Sequence, residues 1–240
     1  MTQINAQALP ALHRTRIKIC GFTREADVDA AVAAGVDALG FVLYEKSPRF
    51  VTASRAAELA NRLPPFVTPV LLFVNADADQ VSVACNQVPG AIIQFHGDET
   101  PQACQAASAL ARRPYLRAAR IPLGEAGSGF DLLKFAQDYS QAQGILLDAQ
   151  VDGYGGGGHT FNWSLLPPNV NAHLVLSGGL NAANVIDGIL QLQPRCKTLS
   201  VDISSGVEVP GQKGIKDPTR IREFVAAVRQ ADLQLNLAKR

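Results

Sequence analysis

Short Val/Ile/Leu-rich runs alternate with Ala-rich segments of helical spacing eight times along this chain, and few folds accommodate such a rhythm. The strand candidates are 16–20, 37–43, 67–74, 91–95, 115–120, 144–148, 172–177 and 198–203. Between them lie helix candidates at 24–34, 52–62, 77–87, 99–110, 128–141, a short turn after Asn162, 181–191 and 217–231, each near a capping or acidic residue. The strands read as apolar on both faces, as expected where helices cover one side and a packed interior the other. Strands returning roughly every 20 to 30 residues, with no composition break to mark a second domain, predict one α/β domain, a (β/α)8 TIM barrel. An open doubly wound sheet fits less well, because no GxGxxG follows the first strand.

At 240 residues and 47% hydrophobic, the chain is long enough to bury such a core. Its 22 basic and 21 acidic residues leave a formal charge of +1 with neither sign gathered into a block, which points away from nucleic acid and membrane partners. Residues 1–15, "MTQINAQALPALHRT", lack the basic start and apolar run of a secretory signal, and no run reaches the length of a membrane span. The expectation is a flexible tail over 1–15 on a cytoplasmic protein whose catalytic domain is the barrel of 16–240. Cys20, Cys85, Cys104 and Cys196 form no CxxC pair and have no histidine at zinc-ligand spacing, so neither a disulfide framework nor a metal is expected.

Barrel enzymes carry their chemistry at the carboxyl ends of the strands. Cys20 ends the first strand and Asp148 ends the sixth, in "GILLDAQ". After Asp148 comes "AQVDGYGGGGHTFNW", whose five glycines have the composition of a mobile lid. "SGGLN" follows strand seven and "DISSGVE" strand eight, the two loops from which barrels build their recurring phosphate site, with glycine letting backbone N–H groups approach an anion. Gly178, Gly179, Ser205 and Gly206 are the candidates there.

Taken in order, "KICGFT" at 18–23, "SPRFV" at 47–51, "FVN" at 73–75, "QFHGDE" at 94–99, "LLD" at 146–148, "GGGGHTFNW" at 155–163, "SGGL" at 177–180 and "VDISSGVE" at 201–208 resemble the phosphoribosylanthranilate isomerases of tryptophan biosynthesis. The resemblance runs from residue 16 to the last helix. It implies an Amadori rearrangement of N-(5-phosphoribosyl)anthranilate to 1-(2-carboxyphenylamino)-1-deoxyribulose 5-phosphate, with Cys20 as general base and Asp148 as general acid. A thiol suits the first role if electropositive surroundings lower its pKa from roughly 8.5. Arg49 is implied to hold the anthranilate carboxylate, and His96 and Asp202 to line the pocket against the substrate's polar groups. A turn histidine and a buried structural carboxylate are the plainer readings of those last two.

No cofactor is implied, since the opened substrate carries a protonated imine as its own electron sink. The implied partner is the phosphosugar-anthranilate substrate alone, on a monomer or homodimer. The lid departs from the family pattern: Gly157, His159 and Asn162 stand where a hydroxyl residue, a lysine and an aspartate are common. Asn162 keeps the capping chemistry, whereas Gly157 loosens the loop. Two readings from other classes stay open. Indole-3-glycerol phosphate synthase or a ribulose-phosphate epimerase would share the phosphate loops, the first using a strand-end lysine and the second metal-binding histidines. Lys18 shares strand parity with Cys20 and does not decide against the first, while no histidine pair stands at successive strand ends. A ligand-binding barrel without turnover is the other.

Overall fold

The computed structural model describes residues 12–150 and 162–238. In chain order its elements are β1 (Arg16–Cys20), α1 (Glu25–Ala33), β2 (Ala38–Val42), α2 (Ala53–Ala60), β3 (Thr68–Phe73), α3 (Ala78–Gln87), β4 (Ile92–Phe95), α4 (Pro101–Ala111), β5 (Tyr115–Ile121), α5 (Leu132–Asp138), β6 (Gly144–Ala149), β7 (Val170–Leu176), α6 (Val185–Leu192), β8 (Cys196–Ile203) and α7 (Pro218–Leu237). Each strand pairs in parallel with the next and β8 closes on β1, so the described strands form a closed barrel in sequence order.

The helices start where side chains can take up their free N–H groups. Thr52 accepts from Arg55 N, Thr100 from Ala103 N ahead of Pro101, and Asp77 forms a capping box with Gln80. Two expected helices begin a full turn later than expected. The 128–141 segment is a 3-10 turn at Gly124–Gly129 followed by α5, because the glycines of "GEAGSG" weaken the α-helix. At 181–184 the side chains of Asn181 and Asn184 bond to Ala183 N and Asn181 N and build a turn, so α6 begins at Val185. After β6 the expected short turn is the 3-10 helix Trp163–Leu165, which Asn162 caps by accepting from Ser164 N.

The strands are apolar throughout on the outward face and only in part on the inward one. Ile17, Ile19, Leu39, Phe41, Leu71, Phe73, Ile93, Phe95, Leu147, Leu176, Val201 and Ile203 alternate outward into the main core beneath the helices, where each large side chain contributes about 1.5–3 kcal/mol. The inward positions change along the barrel: Ala118, Leu146 and Val175 form an apolar layer, and above it come Lys18, Cys20, Gln94, His96, Asp148 and Asp202, all buried. The expectation holds for these apolar layers and misses the polar inward positions, because a run of mostly apolar letters hides every second residue that a closed barrel turns toward its axis.

Of the expected tail, residues 1–11 lie outside the described residues. Thr15 is fully buried, donating from N to Asp232 Oδ1 at 2.8 Å and accepting at O from Arg229 Nη1 at 2.8 Å. Among the described residues, no helix is long and apolar enough to cross a membrane.

Candidate active site

Strands β1, β4, β6 and β8 bring polar or reactive side chains to the carboxyl end of the barrel. On β1 the alternation that sends Ile17 and Ile19 outward turns Lys18 and Cys20 inward. Lys18 pairs in register with Asp202 across the β1–β8 seam, and Lys18 Nζ donates to Asp202 Oδ1 at 2.8 Å. Gly40 on β2 makes room for this: a Cβ there would stand 2.6 Å from Cys20 Sγ and 3.1 Å from Lys18 Nζ. Cys20 also packs with Val42, Leu72 and Val74, with Tyr44 against them, so the β1–β3 side of the mouth is an apolar wall.

The opposite side is polar. His96, just past β4, faces Asp148 near the end of β6. Gln94 Nε2 can only donate, so Nδ1 of His96 accepts at 2.9 Å and Nε2–H donates to Asp148 Oδ2 at 2.9 Å. The second Asp148 oxygen accepts from Ala149 N at 3.0 Å. The loop carrying His96 is held on three sides. Buried Arg117 donates to the carbonyls of Phe95, Gly97 and Glu99 and lies 4.9 Å from the Tyr139 ring centroid, while Glu99 accepts from Asn75 N and Gly97 N.

Arg49 is buried beside Cys20, but its fork faces protein. Nε and Nη2 donate to the two Glu208 oxygens at 2.7 and 2.8 Å, and Lys216 Nζ donates to Glu208 Oε1 at 3.0 Å. Burial works to raise the Glu208 carboxyl, and the joint pull of Arg49 and Lys216 outweighs it and holds the group below the usual carboxylate range. Lys216 also donates to Ser204 O at 3.1 Å, and Ser204 Oγ donates to Cys20 O at 3.0 Å, which ties the β8 loop to the end of β1.

Burial pushes the Cys20 thiol above its ordinary range, against Lys18 and Lys216, which pull it down, and with Asp202, which pushes it up. The expected electropositive surroundings are present, yet desolvation outweighs them. Burial likewise raises the Asp202 carboxyl, with Lys18 opposing and Asp148 adding to the rise.

The two glycine loops meet. Gly178 and Gly179 have φ of +78° and +63°, conformations open to glycine, and a Cβ on Gly178 would lie 3.0 Å from Asp148 Oδ1. A Cβ on Gly206 would strike Leu180 O, so the β8 loop sits directly against the β7 loop. Gly157 and His159 of the lid lie outside the described residues. Among the described residues no group of three or more His, Cys, Asp or Glu side chains is arranged to hold a metal ion.

Cys20, His96, Asp148 and Asp202 thus share one mouth, with Arg49 at its β1 side and Gly178, Gly179, Ser205 and Gly206 on the β7 and β8 loops. Sequence reasoning weighed Lys18 only as a strand-end lysine of another enzyme class and passed over Gln94, Glu208 and Lys216. Lys18 and Gln94 each stand two residues before a recognised site residue, and strand alternation was the signal that marks them.

A family model for N-(5'-phosphoribosyl)anthranilate (PRA) isomerase matches residues 17–227. The N-(5'-phosphoribosyl)anthranilate isomerase of Methylibium petroleiphilum is 60% identical over 222 residues, covering 92% of this chain and 97% of the relative. That of Leptothrix cholodnii is 58% identical over 219 residues, covering 91% and 93%. Among solved structures, the phosphoribosyl anthranilate isomerase of Thermotoga maritima superposes with a TM-score of 0.77 at 34% identity, covering 90% of this chain and 99% of that one. A phosphoribosyl anthranilate isomerase in complex with reduced 1-(o-carboxyphenylamino)-1-deoxyribulose 5-phosphate gives a TM-score of 0.74 at 32% identity over the same shares. With the closed barrel and the mouth described above, these matches assign the chain to the phosphoribosylanthranilate isomerase family.

Proposed function

We propose that Cys20 and Asp148 carry the acid–base steps by which this isomerase converts N-(5'-phosphoribosyl)anthranilate to 1-(2-carboxyphenylamino)-1-deoxyribulose 5-phosphate. The observation that carries the assignment is the convergence of Cys20, His96, Asp148 and Asp202 on one mouth, with Asp202 in electrostatic range of both Cys20 and Asp148. Asp148 gives its proton to the furanose ring oxygen, the C1'–O bond breaks, and the anthranilate nitrogen's lone pair forms the C1'=N bond. Cys20 then removes the C2' proton, and the electron pair flows into the protonated imine. The resulting enolamine takes a proton at C1' and loses its hydroxyl proton at C2' to become the ketone.

The walls suit the substrate's three parts. The apolar side formed by Cys20, Val42, Leu72, Val74 and Tyr44 matches the anthranilate ring, the polar side with His96, Asp148 and Asp202 matches the sugar hydroxyls, and the backbone of Gly178, Gly179, Ser205 and Gly206 matches the phosphate. Arg49 meets the anthranilate carboxylate with its outer nitrogen edge, its inner edge being held by Glu208. In this reading Glu208 fixes the aim of the guanidinium before substrate arrives.

Loss of substrate fluorescence faster than spontaneous decay, with purified protein, tests the activity. In the same assay Arg49→Ala is expected to raise KM about 10- to 100-fold, the equivalent of losing a charge-assisted contact of roughly 1.5–3 kcal/mol, with kcat little changed. Lys216 keeps Glu208 paired, so circular dichroism should report an intact fold. A KM within twofold of wild type would remove Arg49 from carboxylate recognition.

Of monomer and homodimer, we favour the homodimer. Phe66 is fully exposed and holds φ at +73°, unusual for a bulky residue, in the loop that leads into β3. At the same end a cavity of about 530 Å³ opens among Thr68, Ile92, Leu116, His173 and Leu174. A Thermotoga maritima relative is described as dimeric. Light scattering should give twice the chain mass for wild type and one chain mass for Phe66→Glu; a monomeric wild type rejects the homodimer. The four free cysteines accord with a reducing cytoplasm.

A further inference from the structure

Gln94 is fully buried inside the barrel, two residues before His96 and between Leu72 on β3 and Leu116 on β5. Its Nε2 donates to His96 Nδ1 at 2.9 Å, while its Oε1 is buried with no hydrogen-bond partner. An apolar side chain of similar length fills that space without an unpaired carbonyl, so the amide carries a stability penalty that packing does not explain.

The chemistry of the imidazole supplies the reason. A neutral ring has one N–H and one bare nitrogen, and an amide N–H on Nδ1 forces the proton onto Nε2. Nε2–H then donates to Asp148 Oδ2, and Ala149 N–H donates to Oδ1. The other tautomer would set a bare Nε2 lone pair against the Asp148 carboxylate across 2.9 Å. That repulsion would oppose loss of the Asp148 proton.

We infer that Gln94 is a positioning residue for the acid step: it locks His96 in the Nε2–H tautomer, so that charge developing on Asp148 as its proton leaves for the ring oxygen meets two fixed donors. The proton transferred is the one carried by Asp148, and His96 keeps its own throughout. The unpaired Oε1 follows from this arrangement, because only the amide's donor end can face Nδ1 if the tautomer is to hold.

This inference rests on Asp148 being the acid, and its tests separate the two. In the wild-type protein, ¹⁵N spectra of His96 should show a protonated Nε2 and a bare Nδ1 at neutral pH; a protonated Nδ1 with a bare Nε2 overturns the inference without any variant. Gln94→Met should lower kcat at least about 10-fold, part of the 10²–10⁴ typical of positioned acid–base catalysis, with KM little changed. The same variant should show mixed His96 tautomers and a thermal midpoint equal to or above wild type. Wild-type kcat in Gln94→Met beside an inactive Asp148→Asn defeats this inference alone. Full kcat in Asp148→Asn defeats the acid assignment first. A Gln94→Met protein that loses kcat and stability together while keeping the single Nε2–H tautomer makes Gln94 structural and also overturns the inference.

Discussion

Replacing Asp148 with asparagine is expected to lower kcat by about 10²- to 10⁴-fold, and Cys20→Ala to do the same, while affinity for the product stays near that of wild type. The amide has the shape of the carboxyl group and its oxygen can still accept from His96 Nε2–H, so what the change removes is the acidic proton. The alanine at 20 keeps the apolar wall and removes the only thiol at the mouth among the described residues. Steady-state kinetics, with product binding followed by fluorescence, separates the two parameters. A Cys20→Ala enzyme with near-normal kcat would strip the thiol of its role as base.

Lys18→Met should produce the largest change in stability, with a pH signature. Asp202 is only 4% exposed, and removing its ammonium partner strands a carboxyl group that burial already holds above its ordinary range. Breaking a buried pair from one side costs about 3–5 kcal/mol. A carboxyl whose folded pKa lies above its unfolded value contributes stability below the unfolded pKa and loses it as pH rises through the folded one. The variant should therefore lose stability as pH rises. Activity should move the other way, because Lys18 is the strongest pull toward the Cys20 thiolate and without it the thiol rises further. Neutral-pH kcat/KM should fall and partly recover toward alkaline pH. Adding Asp202→Asn should restore stability without restoring activity. Urea denaturation across pH, set beside kcat/KM over the same range, decides this: curves for variant and wild type that run parallel in both would show that Lys18 serves neither group.

Much of the frame was legible because it is written in local signals. The βα rhythm, the caps at Thr52, Asp77, Thr100 and Asp217, and the placing of Cys20 and Asp148 at strand ends all depend on residues within one or two turns of each other. The ordered motifs identified the family for the same reason, since each is a short contiguous stretch. Boundaries failed where side chains competed with the backbone, as at Asn181 and Asn184, or where glycines diluted a helix, as at 124–129.

The sequence by itself determined the number and order of the strands, which residues stand at their carboxyl ends, and the chemistry those residues can offer. Tertiary structure alone decided their partners and their electrostatics. Lys18 and Asp202 are 184 residues apart, and Arg49 and Glu208 are 159 apart, so no spacing rule joins them until the barrel closes β8 onto β1. The sign of the Cys20 shift was hidden for the same reason: it is the balance between desolvation and three charged groups at 18, 202 and 216, and both effects exist only once burial has removed the water that would otherwise screen them.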